Sequence, residues 1–403
     1  MLRRAFAFLA VLSLVAAACS SSGTTTTAAA PSTTQAAPTT TKAAPTTTKA
    51  APTTTAAAAC AATIGVMAPI TGPAASIGEE QLNWAKLAVD RYNDANGTEF
   101  TILEGDTQLD PAQASTIAQQ FVSTDDLLGV VGPAGSQEVQ AVGPIFTEAN
   151  LGFVSMSATR TDLTNGDLPT FFRVVPKDDV QGPTDANFMI SKLGAKKVFI
   201  IDDQTSYSTG LADAAAGTLE AAGVTVDRDS VSQDQSDFSA LVAKIADDTD
   251  VVFLPWQLAA NAQLFGQQME EQGKNAVLFG SDGLFSPSDF TIEGAYVSAF
   301  APDIKGIAAD ADLVKAFEDQ YGDFGTFGPP TFAATEVVLA AIDSVCQSGA
   351  TPTREAVVKA IAATDQPESI LGQPIRFDAN GDVEGAQFFI FTIKDGTYTL
   401  VEG

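Results

Sequence analysis

The chain has 403 residues, 45% of them apolar and only 17% charged, enough for about two buried cores. Asp and Glu outnumber Lys and Arg 49 to 21, and the net charge of −28 argues against nucleic acid, whose phosphates demand a basic face. Histidine is absent and cysteine scarce, so Ser-His-Asp and Cys-His catalysis and the usual zinc sites lose a required residue.

No G-x-x-x-x-G-K-[ST] or G-x-S-x-G string and no C-x-x-C pair occurs. A non-enzymatic chain without metal or cofactor is the expectation. An acid/base pair of Asp282 with Glu138 is imaginable, but no motif supports it.

Residues 1–18 read as a secretory signal: Arg3 and Arg4, then the apolar run from Ala5 to Ala18. That run is too short to span a bilayer as a mature helix. VAAAC resembles a bacterial lipobox, in which Cys19 becomes the lipidated first residue, although Ala16 stands where leucine is preferred. Ordinary cleavage after Ala18 is the alternative. Residues 19–59 are almost only Thr, Ala, Pro and Ser, with KAAPTTT at 42–48 and again at 49–55. Such a stretch cannot offset the entropy of folding, and it reads as a disordered tether between a membrane and a domain. The two remaining cysteines, Cys60 and Cys346, are expected to pair in an oxidising exterior.

From Thr63 the pattern changes. TIGVMAPI is a predicted strand, and Glu79 to Ala95 a helix with Leu82, Ala85, Val89 and Tyr92 on one face. FTILEGD is the next strand, and Asp110 with Pro111 opens a helix carrying Ala114, Ile117, Ala118 and Phe121. LLGVVGP, a helix over Gln137 to Ala149, and GFVSMSA follow. The rhythm restarts with KKVFIIDD, a helix over Thr209 to Ala222, VTVDRDSV, a helix over Phe238 to Ala246, DVVFLPW, a helix over Asn261 to Gln272, and AVLFGSD.

Buried β-rich runs alternating with amphipathic helices predict an α/β protein with two doubly wound parallel-sheet lobes. In such sheets ligands bind off the carboxyl ends of the strands. The loops there are PITGPAASIG, GPAGSQE, SMSATRTDLT, DDQTSYSTG, PWQLA and GSDGLFS. They are rich in Gly, Ser and Thr, which offer short donors and close backbone approach.

The strings IGVMAPITGPAASIGEEQLNWAKLAVDRYNDANG, VVGPAGSQEVQAVGPIFTEA, FFRVVPKDDVQGP, DDQTSYSTGLA, FGSDGLFSP and IRFDANGDVEGAQFFIF together resemble the branched-chain amino-acid-binding proteins. These are type I periplasmic solute-binding proteins of ABC importers. The resemblance runs from about Thr63 to the end. It implies two discontinuous lobes joined by three hinge crossings near Val174–Pro176, Phe300–Pro302 and Asp382–Gly385. Lobe 1 is then 60–175 with 302–383, and lobe 2 is 176–301 with 384–403.

It further implies that a ligand carboxylate meets Ser136, Ser157, Ala158 and Thr159, and that a ligand ammonium meets Asp282, with Tyr207 lining the cleft. Ile77 and Gln257, the latter beside Trp256, depart from the family pattern in the side-chain pocket. The implied protein is an extracytoplasmic lipoprotein on the cell membrane that delivers a small amino-acid-like ligand to an ABC permease. The alternatives are a same-fold receptor for urea, short amides or aromatic acids, and a sensor that reports occupancy.

Overall fold

A computed structural model describes residues 59–402. The expected signal, Cys19 and almost all of the tether lie outside the described residues. No helix among the described residues is long and apolar enough to cross a membrane.

The first lobe opens with β1 (Ala61–Ala68), α1 (Ala75–Asn96), β2 (Glu99–Asp106), α2 (Pro111–Val122), β3 (Leu127–Val131), α3 (Ser136–Glu148), β4 (Gly152–Ser155) and β5 (Phe171–Arg173). Its five strands are all parallel, in the order β2-β1-β3-β4-β5. Successive residues of each strand feed opposite faces, as a two-residue period requires. Ile64, Val66, Val131 and Val154 face one core, and Met67, Val130 and Phe153 face the other.

The second lobe begins with α4 (Asp178–Ser191), β6 (Lys197–Asp202), α5 (Ser206–Ala221), β7 (Thr225–Ser230), α6 (Ser239–Val242), β8 (Val251–Leu254), α7 (Ala259–Glu271), β9 (Val277–Gly280) and β10 (Tyr296–Ala299). Its parallel strands run β7-β6-β8-β9-β10, which repeats the winding of the first sheet.

The chain then returns to the first lobe. There α8 (Ala311–Tyr321), α9 (Gly328–Gln347) and α10 (Arg354–Ala362) pack on the α1 side of its sheet, followed by the short pair β11 (Asp365–Gln366) and β12 (Ile375–Arg376). It crosses once more to add β13 (Phe389–Lys394) and β14 (Thr397–Glu402) antiparallel at the β10 edge. Two lobes joined by three crossings are therefore the architecture, as the sequence predicts.

Two of the crossings are tied together. Arg173, wholly buried at the end of β5, donates from Nε to Asp382 Oδ1 at 2.6 Å, and Lys177 Nζ lies 3.1 Å from the other oxygen. Three more guanidinium protons go to the carbonyls of Ala158 and Arg160 and to Thr164 Oγ1, so four of its five N–H groups are hydrogen-bonded. Cys60 and Cys346 form a disulfide that joins the residue before β1 to the end of α9.

Two predicted helices differ in extent. The first starts at Ala75 rather than Glu79. It can do so because Gly78 passes so close to Pro69 that a Cβ would lie 2.2 Å from its carbonyl. The helix expected over Phe238 to Ala246 is α-helical only from Ser239 to Val242. Its hydrogen bonds then tighten to i→i−3 at Lys244 and Ile245.

Candidate functional site

Strand order reverses between β1 and β3 and between β6 and β8, and the carboxyl ends of both sheets face one another across a small cavity. Ile77, Leu109, Ala134, Ser157 and Phe327 line it from the first lobe, and Tyr207, Gln257, Asp282 and Gly283 from the second. Each follows a strand end, apart from Phe327, which precedes α9. The space holds about 20 Å³, room for little more than one water. Gly283 is required there: a Cβ would sit 2.3 Å from the carbonyl of Trp256.

On the second-lobe wall Asp282 is 2% exposed. Tyr207 donates its hydroxyl to Asp282 Oδ1 at 2.7 Å, and Gln181 Nε2 donates to the same oxygen at 2.6 Å. Both donors converge on Oδ1, so Oδ2 is the oxygen left for the cavity. No Lys or Arg pairs with Asp282 among the described residues. Burial pushes its carboxyl up to about 6, against the pull of those two hydrogen bonds.

Asp178, at the start of α4, is also buried and pushed up to about 7, by burial first and by the Asp282 charge in addition. Neither of its side-chain oxygens has a partner within hydrogen-bond distance, although the Thr159 hydroxyl lies near enough to pull its carboxyl down in part. Buried Asp185, on the same helix, lies well above the carboxylate range for the same two reasons.

The first-lobe wall offers hydroxyls instead. Ser157 Oγ accepts from Gln81 Nε2 at 3.0 Å and donates to the carbonyl of Ala134 at 2.9 Å. Thr159 is fully buried and does not line the cavity; its Oγ1 has no partner within hydrogen-bond distance and lies toward Asp178. Ser136, the first residue of α3, accepts from the backbone N–H of Arg160 at 3.2 Å and does not line the cavity. The Ala158 N–H is taken by Ser155 Oγ at 3.0 Å, and its methyl group joins the core.

Trp256 requires correction. Its indole donates to the carbonyl of Ile201 at 2.7 Å, and its ring packs on Phe238 and Phe265 in the core of the second lobe. It faces away from the cavity, and its neighbour Gln257 is the residue that reaches in.

Contacts across the cavity join the lobes. Gln137 Nε2 donates to Gln257 Oε1 at 2.9 Å, and Arg160 Nη1 donates to the carbonyl of Ser206. Leu258 packs against Ala74 and Leu109. Leu109 and its neighbour Gln108 both have left-handed backbones, with φ of 63° and 52°. That conformation costs a non-glycine residue on the order of 1 kcal/mol, and it sits where the side chain reaches the cavity.

Sequence reasoning missed Leu109, Gln137, Gln181, Asp178 and Asp185. One signal was available for three of them. Asp178, Gln181 and Asp185 are spaced i, i+3, i+7, which puts three polar groups on one face of a single helix.

The sequence profile of the periplasmic binding protein family matches residues 61–397. The Leu/Ile/Val-binding protein homolog 3 of Brucella melitensis is 31% identical over 348 residues, which cover 84% of this chain and 93% of that relative. The chain belongs to this family of periplasmic solute-binding proteins.

Two solved members of the periplasmic binding protein fold superpose closely. One is the branched-chain amino acid transporter substrate-binding protein LivJ of Streptococcus pneumoniae, in complex with isoleucine. It has a TM-score of 0.76 at 22% identity, covering 85% of this chain and all of that one. The other is a solute-binding protein of an R. palustris ABC transporter, in complex with benzoate. It also has a TM-score of 0.76, at 19% identity, covering 85% of this chain and 96% of that one.

Proposed function

We propose that this periplasmic binding protein captures a zwitterionic amino acid between its lobes and delivers it to an ABC importer, held to the membrane through lipidated Cys19. The observation that carries the reading is Asp282. A buried carboxylate that holds two hydrogen bonds and no cation is stabilised by an ammonium group arriving with the ligand. From the first lobe the Thr159 hydroxyl, which has no partner within hydrogen-bond distance, is the group offered to a carboxylate, with Ser136 at the N-terminus of α3; the Ser157 proton is already given to the carbonyl of Ala134. Ile77, Leu109 and Phe327 leave an apolar wall for an aliphatic side chain. The Leu/Ile/Val-binding relative and the isoleucine-bound neighbour support the same ligand class.

At about 20 Å³ the cavity is far smaller than an amino acid. Entry therefore separates Gln137 from Gln257 and Leu258 from Leu109, and closure brings the two walls against the ligand instead. A ligand that touches both walls favours the closed state and shifts the population toward it.

A neutral amide is the second reading, favoured by the facing amides of Gln137 and Gln257. The two separate in a thermal-shift panel of amino acids, amides, urea and carboxylates on the purified full chain. At a hundredfold excess over Kd a ligand stabilises by about 2.7 kcal/mol. Stabilisation by leucine or isoleucine, abolished in Asp282→Asn, is the expected result. Stabilisation only by amides or anions, or undiminished binding in Asp282→Asn, sinks the amino-acid reading.

A further inference from the structure

Beneath Asp282 a chain of side chains runs away from the cavity into the second lobe. Gln181 Nε2 has two protons. One goes to Asp282 Oδ1 at 2.6 Å, and the other to Ser298 Oγ at 2.9 Å. Ser298, on β10, has a single proton and donates it to Asp185 Oδ2 at 3.2 Å. Gln181, Ser298 and Asp185 are all fully buried, so no water competes for these bonds.

With Asp185 ionised, the donor count leaves one consistent arrangement. Because Asp185 takes the Ser298 proton, the serine oxygen can only accept from Gln181. Because Ser298 and Asp282 both accept, the amide of Gln181 must present nitrogen, not oxygen, to the pair. Gln181 Oε1 is left unpartnered, as is Asp185 Oδ1. An amide flipped the other way would put Oε1 against the Asp282 carboxylate at the same short distance, which is repulsive.

We infer that Asp185 is a positioning residue that acts through Ser298 and Gln181 to hold Asp282 in the orientation that receives the ligand's ammonium. The inference rests on the amino-acid reading given above. Without Asp185 the Ser298 hydroxyl is free to turn toward Gln181 Oε1. The amide then rotates, and Asp282 keeps Tyr207 as its one remaining donor. The carboxylate gains freedom, and part of the binding free energy goes into restoring its orientation.

This role differs from support of the fold. An acceptor buried with one oxygen unpaired, beside Asp178 and Asp282, is a burden on the unliganded protein. Its removal therefore relieves the cost of burying a carboxyl while it weakens binding.

The test is isothermal titration of L-leucine and L-isoleucine, with the melting temperature of the unliganded protein measured alongside, on the full chain and on Asp185→Leu, Asp185→Asn and Ser298→Ala. Asp185→Leu and Ser298→Ala are expected to weaken binding about tenfold. Asp185→Leu is expected to melt no lower than wild type. Asp185→Asn, whose amide oxygen can still accept the Ser298 proton, is expected to bind within about threefold of wild type.

Wild-type affinity in Asp185→Leu and Ser298→Ala overturns the positioning role while leaving the amino-acid reading intact. So does a fall in melting temperature that tracks the loss of affinity in all three variants. A wild-type chain that binds no amino acid overturns the amino-acid reading first, and this inference with it.

Discussion

Changing pH should move unliganded stability and ligand affinity in opposite directions. Burial lifts Asp178 from 3.8 to about 7, Asp282 from 3.8 to about 6, and Glu80 and Glu138 from 4.5 to about 7. A carboxyl whose folded value is raised holds its proton longer in the folded state than in the unfolded one. The stability it contributes is therefore greatest below the unfolded value and is lost as pH rises to the folded value, here from about 4 to about 7. Each tenfold change in proton affinity is worth about 1.4 kcal/mol, so each of these groups accounts for a loss on the order of 3 to 4 kcal/mol. Asp178 and Asp282 repel one another, so the losses do not sum. Exposed carboxylates held low, such as Asp229 beside Lys244, act in a separate window below 3.8.

The unliganded protein should thus be most stable near pH 4 and lose several kcal/mol by pH 8, a fall of about 5–10 °C in melting temperature for a chain of this size. Ligand binding needs Asp282 ionised. Affinity should be flat above pH 7 and fall about tenfold per unit below pH 6. Calorimetric melting with and without isoleucine at half-unit steps measures both slopes, and Asp282→Asn should erase the affinity slope. Unliganded stability that rises from pH 5 to 8, or affinity that holds constant from pH 7 to 5, refutes the reasoning.

Two further outcomes follow from named contacts. The Cys60–Cys346 disulfide closes a loop of 286 residues, which the chain-entropy treatment rates at about 6 kcal/mol. Serine at both positions should lower the melting temperature clearly and leave leucine affinity within about twofold, as read by calorimetry and titration. Trp256→Phe removes an indole that is buried and hydrogen-bonded to Ile201. It should cost about 1–3 kcal/mol in denaturant unfolding while leaving affinity unchanged, because the ring faces the core and not the cavity.

The alternating strands and helices were legible because each buried strand is a short apolar run and each helix carries one apolar face. β1 divides its residues between two cores, and Asp110 caps α2 by accepting from the N–H of Gln113 at 2.7 Å, as its place before Pro111 predicts. The loops after β1, β3, β4, β6, β8 and β9 were legible as a set, since strand direction alone places them at one edge. What was not legible was which way a loop side chain turns. Trp256 and Gln257 are adjacent in the loop after β8, where one faces the core and the other the cavity, and composition does not say which. Leu109 was hidden because its approach to the cavity depends on two successive left-handed residues, a conformation that neither Gln108 nor Leu109 advertises. Asp185 was hidden because its partner Ser298 is 113 residues away on another strand.

The division of chemistry between the walls gives closure its selectivity. The second lobe presents Asp282 and, behind it, Asp178 and Asp185, with no cation at the cavity. The first lobe presents the Thr159 hydroxyl, Ser157 with its proton committed to Ala134, and the apolar Ile77, Leu109 and Phe327. Either wall alone can engage only one end of a zwitterion, in water that competes for every bond. Only when both walls meet is the ammonium desolvated against Asp282 while the carboxylate is desolvated against the hydroxyls, and both interactions strengthen together as the local dielectric falls. A simple amine would leave the Thr159 side unsatisfied, and a simple acid would bring its charge against three buried carboxyls. On the proposed amino-acid reading, discrimination for the zwitterion therefore resides in the closed state.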